Sequence, residues 1–527
     1  MSARIESEAA LVAWFEAHGG FEDVTVSDCD LAQKNLSHAT FRDVTFERVR
    51  MDEAILTGCV FHRVTLRGVS LAGATLDDST WMEVESDPAA PADFLGARGA
   101  RVRMHLCKLA GARWARAVFD EVAFAECELG GCDWREASIT SGEFLGGAMG
   151  ASWWSGARLT RCVLDGAELS QGAFDGAVLD DTSLFRAKLS SARFDGATLR
   201  ECTLREADLR ASVFHQSVLD GSDLSGAQCD DAHFVGASLV EADLTGAVLA
   251  RANLTQSALT DADFTDARCE GAELHAVRGE RVTFDGADLS RADLRGALLT
   301  GASMLGATLT GASLAGADLT GADLDGCDLT RVVLHDATMV RASLVEARAA
   351  GRRFEGMNLA ETDWSRAELE GACFDRADLS KACMAEAKLR GATMRGVIAP
   401  YLELDGACVD EVDFTGAQLP GAQLVGCMAR RAVFSAAVLS RAMLTRCALQ
   451  EARMLGADLS YADLSHARLE NADLSDAKLR GAAMHETVSH GASFSRADLT
   501  DVSRSDAPLA DAERFGAALP PAPEAPR

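Results

Sequence analysis

The 527-residue sequence is poor in aromatic residues and proline, and it has no long apolar run. Aromatic residues make up 6% of the chain, which has two tyrosines and nine prolines. The 46 glycines and many alanines therefore indicate a core of small side chains rather than the bulky core of most globular domains. No stretch approaches the roughly 18 apolar residues that a membrane-spanning helix needs, which argues against a transmembrane protein.

The beginning of the chain and its cysteines also argue against a secreted protein. Residues 1–20 contain Glu6 and Glu8 and no continuous apolar segment, which is not typical of a signal peptide. The 15 cysteines form no C-x-x-C pair, and a disulfide framework is typical of small secreted domains rather than of a long chain. We therefore expect a soluble, cytoplasmic protein.

A repeat of five residues runs through the chain. Apolar residues recur at nearly every fifth position from Phe94 to Leu499, and we name the residue at each of these positions a centre; a small residue, usually alanine, stands two positions earlier. A period of five fits neither an α-helix, at 3.6 residues, nor a flat strand, at 2 residues. It predicts a coil in which each five-residue unit forms one of four sides, with the centre and the small residue pointing inward.

The tripeptide Ala-(Asp/Asn)-Leu occurs twelve times, for example at Ala207–Leu209, Ala252–Leu254 and Ala472–Leu474. With this tripeptide and its constant phase, the chain resembles the pentapeptide-repeat family over roughly residues 21–503. The resemblance implies an all-β fold, a right-handed quadrilateral parallel β-helix. Counting the units predicts a solenoid of about 24 coils, which short helical caps close at its ends.

The phase of the repeat changes once. From Phe21 to Trp81 the centres have numbers ending in 1 or 6, and from Phe94 onward the numbers end in 4 or 9. The segment 82–93 between them is acidic and contains two prolines, a composition typical of a loop. We expect a first repeat stack at 21–81, a projecting loop or a joint at 82–93, and the main β-helix at 94–503.

Both ends of the chain are expected to be caps, because a solenoid leaves the backbone and apolar faces of its terminal coils open. Residues 1–20 are predicted to form an N-terminal cap with a helix over Ser7–His18 that presents Leu11, Trp14 and Phe15 to the first coil. Arginines occupy the centre positions 504 and 514. We therefore expect residues 504–527 to form a C-terminal cap, with a helix over Pro508–Leu519 and a disordered tail.

Most of the cysteines fit the repeat as core residues, since a thiol is a small, apolar substitute for alanine. Ten occupy the small inward position: Cys29, Cys59, Cys107, Cys127, Cys132, Cys162, Cys202, Cys327, Cys427 and Cys447. Cys229 and Cys269 are centres, whereas Cys373, Cys383 and Cys408 directly precede a centre and should be surface thiols. A metal or redox array is the alternative interpretation. Three leucines mark the core around Cys327, namely Leu319, Leu324 and Leu329.

The sequence contains no pattern that is typical of catalysis. There is no phosphate-binding G-x-x-x-x-G-K-(S/T), no G-x-G-x-x-G and no G-x-S-x-G. His215, His275 and His335 share one predicted column, but successive members are three coils, or about 14 Å, apart, too far for one metal ion. We expect no enzymatic activity, no catalytic residue, no cofactor and no metal.

The resemblance implies that the outer surface binds a protein, and it suggests two kinds of partner. Some members of the family mimic duplex DNA and bind type II topoisomerases, and the net charge of −29 invites this interpretation. From residue 94 onward, however, 44 basic and 63 acidic residues give one net charge per about 5 Å of rod, against about 1.7 Å in duplex DNA. Gyrase or topoisomerase IV is therefore the alternative partner.

The preferred hypothesis is a rigid scaffold or adaptor that binds proteins, because long bacterial members of the family are linked to secretion and effector delivery. We expect no direct contact with nucleic acid or membrane. The residue after each centre should face solvent, and one such column is rich in apolar residues: Leu145, Phe185, Leu305, Val345 and Val425. Trp153, Tyr401 and Tyr461 are further candidates for exposed contacts. A docking stripe and the ordinary preference of a strand surface for such residues remain alternatives.

Overall fold

Parallel pairing between residues 20 positions apart organises the chain. Phe21 pairs with Phe41, and Phe41 pairs with Phe61. The computed structural model, which describes residues 3–18 and 20–504, is a parallel β-solenoid. Since each turn contains four five-residue units, every centre lies over the centre of the previous turn, as the five-residue period predicts.

Contacts divide the chain into two units, Met1–Arg278 and Gly279–Arg527. The first unit begins with β1 (Ala3–Ile5) and the helix α1 (Glu8–His18). The strands that follow are β2 (Phe21–Glu22), β3 (Val24–Ser27), β4 (Thr40–Arg42), β5 (Thr45–Glu47), β6 (Val60–His62), β7 (Thr65–Arg67), β8 (Thr80–Met82), β9 (Glu85–Ser86), β10 (Arg98–Ala100), β11 (Arg103–His105), β12 (Val118–Asp120), β13 (Ala123–Ala125), β14 (Ser138–Thr140), β15 (Glu143–Leu145), β16 (Arg158–Thr160), β17 (Val178–Asp180) and β18 (Thr198–Arg200).

These strands form three parallel sheets along the sides of the first unit. Their orders are β1-β3-β5-β7-β9, β10-β12-β14-β16-β17-β18 and β15-β13-β11-β8-β6-β4-β2. Strands of two or more residues thus fill about ten turns, up to Arg200. The prediction of about 24 coils is therefore higher than the number of turns that contain such strands. After Arg200, the described part of the chain pairs through single-residue bridges in the same 20-residue register.

Many of the later units, which pair over a single residue, have a side-chain hydrogen bond next to the centre. In the unit centred on Leu224, the Oδ1 atom of Asp223 accepts a hydrogen bond of 2.8 Å from the backbone N–H of Ser225. Such a bond turns the backbone directly after the centre and competes with an extended strand. Early units such as Thr45–Glu47 carry β-branched and aromatic residues instead, which favour strands.

In the second unit, the described residues extend to Arg504 and pair through a ladder of single-residue bridges. One side runs from the bridge between Thr283 and Ser303 to the bridge between Ala483 and Ser503, with one bridge per turn. Most of the centres within it are buried, for example Leu324 and Leu444, which are 0% exposed.

The core of the first unit is a column of stacked aromatic rings rather than small side chains alone. The ring centroids of Phe94 and Trp114 are 3.9 Å apart, and those of Trp114, Trp134 and Trp154 follow at 5.0 and 4.9 Å. The stack continues through further phenylalanines to Phe234. The few aromatic residues of the chain are therefore concentrated at centres, where successive turns bring them into contact.

The segment 82–93 lies within one enlarged turn. Trp81 pairs with Met104, a separation of 23 instead of 20 residues, and the segment contains β9. Parallel pairing continues on both sides of it, so the pairing does not separate two stacks there. The side chains of Ala92 and Phe94 are fully buried. The three additional residues lengthen one corner, and this lengthening changes the phase of the repeat.

The N-terminal helix expected over Ser7–His18 is α1, and Leu11 on it is buried. Trp14 is half-buried, and the side chain of Phe15 lies outside the described residues. The sequence analysis missed β1, which precedes the helix and pairs with β3. The missed strand covers backbone groups that the first coil would leave open. The helix predicted over Pro508–Leu519 also lies outside the described residues.

Candidate interaction surfaces

The outer wall consists of three positions in each unit: the residues before the centre, directly after it and two after it. The last of these forms the corner of the coil and has a left-handed backbone, with φ of 51° at Arg48 and 67° at Gly316. Glycine adopts this conformation without steric cost, which explains its frequency in the sequence. Most charged residues that stand there are exposed, and each lies over the corner residue of the next turn.

Opposite charges pair along these corners. Arg48 and Asp28 are 2.7 Å apart, as are Arg63 and Asp43, and Arg251 and Asp231 are 2.6 Å apart. The hydrogen bond from the arginine lowers the pKa of each of these aspartates. The pairs neutralise part of the acidic surface, and so a high net negative charge does not become a uniform negative field.

The aspartates directly before the centres hold the chain's own backbone. Asp328 Oδ1 accepts hydrogen bonds from the Thr330 N–H at 2.9 Å and from the Thr330 hydroxyl at 2.6 Å, and Asp243 accepts one from the Thr245 N–H at 2.8 Å. A carboxylate in this role stabilises the turn that follows the centre. The aspartate of the Ala-Asp-Leu tripeptide thus has a structural role in the coil.

A second set of aspartates, which sequence reasoning missed, lies directly after the centres and binds the next turn. Asp285 Oδ1 accepts a hydrogen bond from the Leu305 N–H at 3.0 Å, and Asp405 Oδ1 accepts one from the Val425 N–H at 2.8 Å. A serine hydroxyl often joins the same oxygen, as Ser183 does at Asp165. The sequence signal for this contact was an aspartate that stands 20 residues before an apolar residue of the same column.

The five residues of the candidate stripe differ in exposure. Leu145 in the first unit and Leu305 in the second are 45% and 50% exposed. Phe185, Val345 and Val425 are half-buried. The guanidinium of Arg186 lies 4.8 Å from the centroid of the Phe185 ring. Asp165 stands one turn before Phe185 in the first unit, and Asp285 one turn before Leu305 in the second, so carboxylates interrupt the apolar residues in each unit.

The three other aromatic candidates are exposed. The exposed fraction is 51% for Trp153, 62% for Tyr401 and 58% for Tyr461. Both tyrosines stand at corners, and each ring lies over the corner glycine of the next turn. A Cβ atom on Gly421 would lie 2.9 Å from the Tyr401 ring, and one on Gly481 would lie 2.7 Å from the Tyr461 ring.

The core markers are buried, and most inward cysteines are packed with them. Leu319, Leu324 and Leu329 are 0% exposed. The Cys327 thiol lies 3.2 Å from the Met304 carbonyl oxygen, and burial raises its pKa to about 12. Cys427 and Cys447, one turn apart, form a disulfide. The prediction that these two cysteines pack as small substitutes for alanine is therefore wrong, because the 20-residue register stacks their side chains. Cys373, Cys383 and Cys408 are half-buried thiols.

The described residues provide neither a metal centre nor a membrane span. Within residues 3–18 and 20–504, no group of three or more His, Cys, Asp or Glu side chains could hold a metal ion. His215 instead contacts Asp195, with 3.1 Å between Nδ1 and Oδ1. The same part of the chain has no helix with the length and apolar character that crossing a bilayer requires.

The family model for pentapeptide repeats matches the sequence in a series of stretches that together cover more than half of the chain. The matched residues are 21–58, 48–80, 150–181, 187–226, 227–266, 242–278, 280–314, 312–348, 353–385, 417–456, 437–476 and 452–488. The chain belongs to the pentapeptide-repeat family. No curated protein matches the sequence.

Solved structures of other pentapeptide-repeat proteins are similar to this one at low sequence identity. HetL, involved in heterocyst differentiation regulation in the cyanobacterium Nostoc, is 22% identical, with 57% of this chain and 89% of HetL covered and a TM-score of 0.21. QnrB1, a plasmid-mediated fluoroquinolone resistance protein, is 20% identical, with 44% of this chain and 99% of QnrB1 covered and a TM-score of 0.21. At these scores, the likenesses carry no argument about the function of this chain.

Proposed function

We propose that this pentapeptide-repeat protein is a non-enzymatic scaffold or adaptor that binds other proteins through its outer walls. The observation that carries the proposal is the exposure of large apolar side chains on an otherwise polar wall, with Leu305 at 50% and Tyr401 at 62%. The aspartates of the repeat are engaged in holding the backbone, as Asp328 is with Thr330. Exposed apolar side chains between polar neighbours are typical of protein-binding surfaces.

Affinity capture with the purified full-length chain tests this proposal. We expect proteins to be retained by the parent and lost from a Leu305→Asp variant, because a charge there opposes burial of the column. Leu298→Asp is the matched control, since Leu298 is exposed to a similar degree, 46%, on another side of the coil. Recovery of no protein above the level of empty resin would contradict the scaffold, and equal recovery with both variants would contradict a role for the column.

A component of a bacterial secretion or effector-delivery system is the partner class we propose. Its support is the repeat scaffold itself together with the length of the chain, 527 residues. Among the proteins retained, secretion or effector proteins would support this partner class, and their consistent absence would remove it.

The alternative proposal is a DNA mimic that binds gyrase or topoisomerase IV. The net charge of −29 supports it. The corner pairs weaken it, because arginines such as Arg251 and Arg496 neutralise aspartates one turn away. A supercoiling assay with purified gyrase decides: inhibition or protection by micromolar protein would favour the mimic, and no effect would remove it.

A further inference from the structure

The acidic residues of the second unit are unevenly distributed over its four sides. One side, which we name the acidic side, consists of the eleven units centred on Phe284, Met304, Leu324, Leu344, Trp364, Met384, Leu404, Leu424, Leu444, Leu464 and Met484. It carries two basic residues, Arg366 and Arg446, and ten acidic ones: Asp285, Asp323, Asp325, Glu346, Asp363, Glu386, Glu403, Asp405, Asp463 and Glu486.

The other three sides are close to neutral between residues 287 and 501. One of these sides carries eight acidic and eight basic residues, the next carries seven of each, and the third carries six acidic and five basic residues. Nearly all of the excess negative charge in this part of the chain therefore lies on the acidic side. The Ala-Asp-Leu repeat alone does not explain this, because the tripeptide also occurs on the other sides, for example at Ala377–Leu379 and Ala457–Leu459.

Several carboxylates on the acidic side have no cation beside them. Arg366 is paired with Glu346 at 2.9 Å. Among the described residues, no lysine or arginine lies within ion-pair distance of Asp325, Glu386 or Asp405. Burial, together with the nearby charges of Asp325 and Asp285, raises the pKa of Asp323. This side therefore concentrates negative charge that the chain itself does not neutralise.

Apolar residues alternate with these carboxylates along the same column. Asp285, Leu305, Asp325 and Val345 stand directly after the centres of four successive turns, and Asp405 and Val425 repeat the pair. Met443 on this side is 44% exposed. Since turns are about 4.8 Å apart, Asp285 and Asp325 lie about 10 Å apart along the column, and Asp405 lies about 19 Å beyond Asp325.

We propose that the acidic side of the second unit docks a cationic amphipathic α-helix of a partner protein. Two turns of an α-helix span about 10.8 Å, and its residues three, four and seven positions apart share one face. A helix that alternates lysine or arginine with leucine-like residues on one face therefore places cations beside Asp285, Asp325 and Asp405. Its apolar residues then contact Leu305, Val345 and Val425. The inference rests on the proposed scaffold function and names the chemistry of its partner.

The experiment uses the full-length protein and a fluorescein-labelled peptide of leucine and lysine, 18 residues long, in which leucine and lysine alternate along one helical face. Binding is followed by fluorescence anisotropy at near-physiological salt. A scrambled peptide of the same composition keeps the charge and loses the alternating face. We expect it to bind about tenfold more weakly than the amphipathic peptide, because charge attraction alone is largely screened.

Two matched pairs of variants locate the binding. Asp325→Asn/Asp405→Asn removes two charges from the acidic side, and the retained Oδ1 can still accept the bonds from Val345 and Val425, both 2.8 Å. The control is Asp375→Asn/Asp410→Asn on other sides, where the aspartates accept equivalent bonds from Arg395 and Arg430 at 3.0 and 2.7 Å. We expect about a tenfold rise in Kd for the first pair and less than about twofold for the control.

Leu305→Ser and Leu298→Ser form the second pair, with similar exposure of the two leucines. We expect the Kd to rise about threefold or more for Leu305→Ser and to stay within about twofold for Leu298→Ser. Equal responses within both pairs, or equal binding of the scrambled peptide, would overturn the docking surface. In affinity capture, recovery of the same proteins by the Asp325→Asn/Asp405→Asn variant and the parent would overturn this inference but leave the scaffold standing, whereas recovery of none by the parent would contradict the scaffold.

Discussion

The Oδ1 atom of Asp325 accepts a hydrogen bond from the backbone N–H of Val345, 2.8 Å away and one full turn further along the chain. The same oxygen accepts the hydroxyl of Ser343 at 2.6 Å. A single carboxylate thus joins two successive turns outside the ladder of backbone bridges.

We expect Asp325→Ala to destabilise this part of the solenoid by about 1–2 kcal/mol, because the Val345 N–H and the Ser343 hydroxyl lose their acceptor. Asp325→Asn keeps an oxygen in place and should cost less. Hydrogen exchange at the Val345 amide measures the effect, with faster exchange in the alanine variant and near-parental exchange in the asparagine variant. Equal exchange in both variants would show that the bond does not hold the turns together.

Tyr401 and Gly421 provide a test of packing at the corners. Gly421→Ala should destabilise the protein more than Gly426→Ala, although φ is 67° and 68° at the two positions. A Cβ atom on Gly421 meets the Tyr401 ring at 2.9 Å, whereas nothing lies within 4 Å of one on Gly426. The backbone strain, about 1 kcal/mol, is shared, so the difference in urea midpoint reports the ring contact. Tyr401→Ala should remove that difference, and its persistence would assign the cost to another cause.

The leucine centres should dominate stability. Leu324→Ala is expected to cost about 2–5 kcal/mol, because the side chain is fully buried between turns and the neighbours cannot fill the space. Leu298→Ala, at a surface position, should change stability by less than about 0.5 kcal/mol. Denaturant unfolding followed by circular dichroism compares them. Similar midpoints for both variants would contradict the central role of the buried column.

The thiols should separate into two classes under native conditions. Iodoacetamide is expected to label the half-buried Cys373, Cys383 and Cys408 first. Cys327 should stay unlabelled, because it is buried and its pKa is raised to about 12, so that the reactive thiolate is scarce at neutral pH. Peptide mass spectrometry identifies the modified sites, and labelling in urea is the control. Rapid native labelling of Cys327 would show that the core opens.

Acid should weaken the corner pairs. The pKa of Asp231 is lowered in the folded state by the hydrogen bond from Arg251, and that of Asp476 by the bond from Arg496. Since the folded pKa lies below the unfolded value of 3.8, the contribution is complete at neutral pH and is lost as pH falls through the folded pKa. Melting temperature from pH 7 to pH 2 should therefore drop less in Arg251→Gln/Arg496→Gln than in the parent. An identical drop would mean that these exposed pairs contribute nothing.

The sequence predicted the class of the fold from a single regularity. A centre at every fifth residue and a small residue two positions earlier place Leu319, Ala322 and Leu324 inside, because a coil built of five-residue sides points the same two positions of every side toward the axis. The helix α1 also lies where the sequence predicts an N-terminal helix, and Leu11 on it is buried. The proposed partner, the domain boundaries and the cytoplasmic location stay predictions.

Only the tertiary structure decided which residues of successive turns interact. The repeat shows that Asp325 faces outward, but the hydrogen bond of its carboxylate with the Val345 N–H, 20 residues away, arises only when the turns stack. The disulfide between Cys427 and Cys447, the tyrosine ring over Gly421 and the strand β1 beside β3 have the same origin. A local sequence period determines which direction each side chain points, because that depends on backbone geometry within one unit. Which atoms then meet depends on the distance and register between turns, which only the stacked chain establishes.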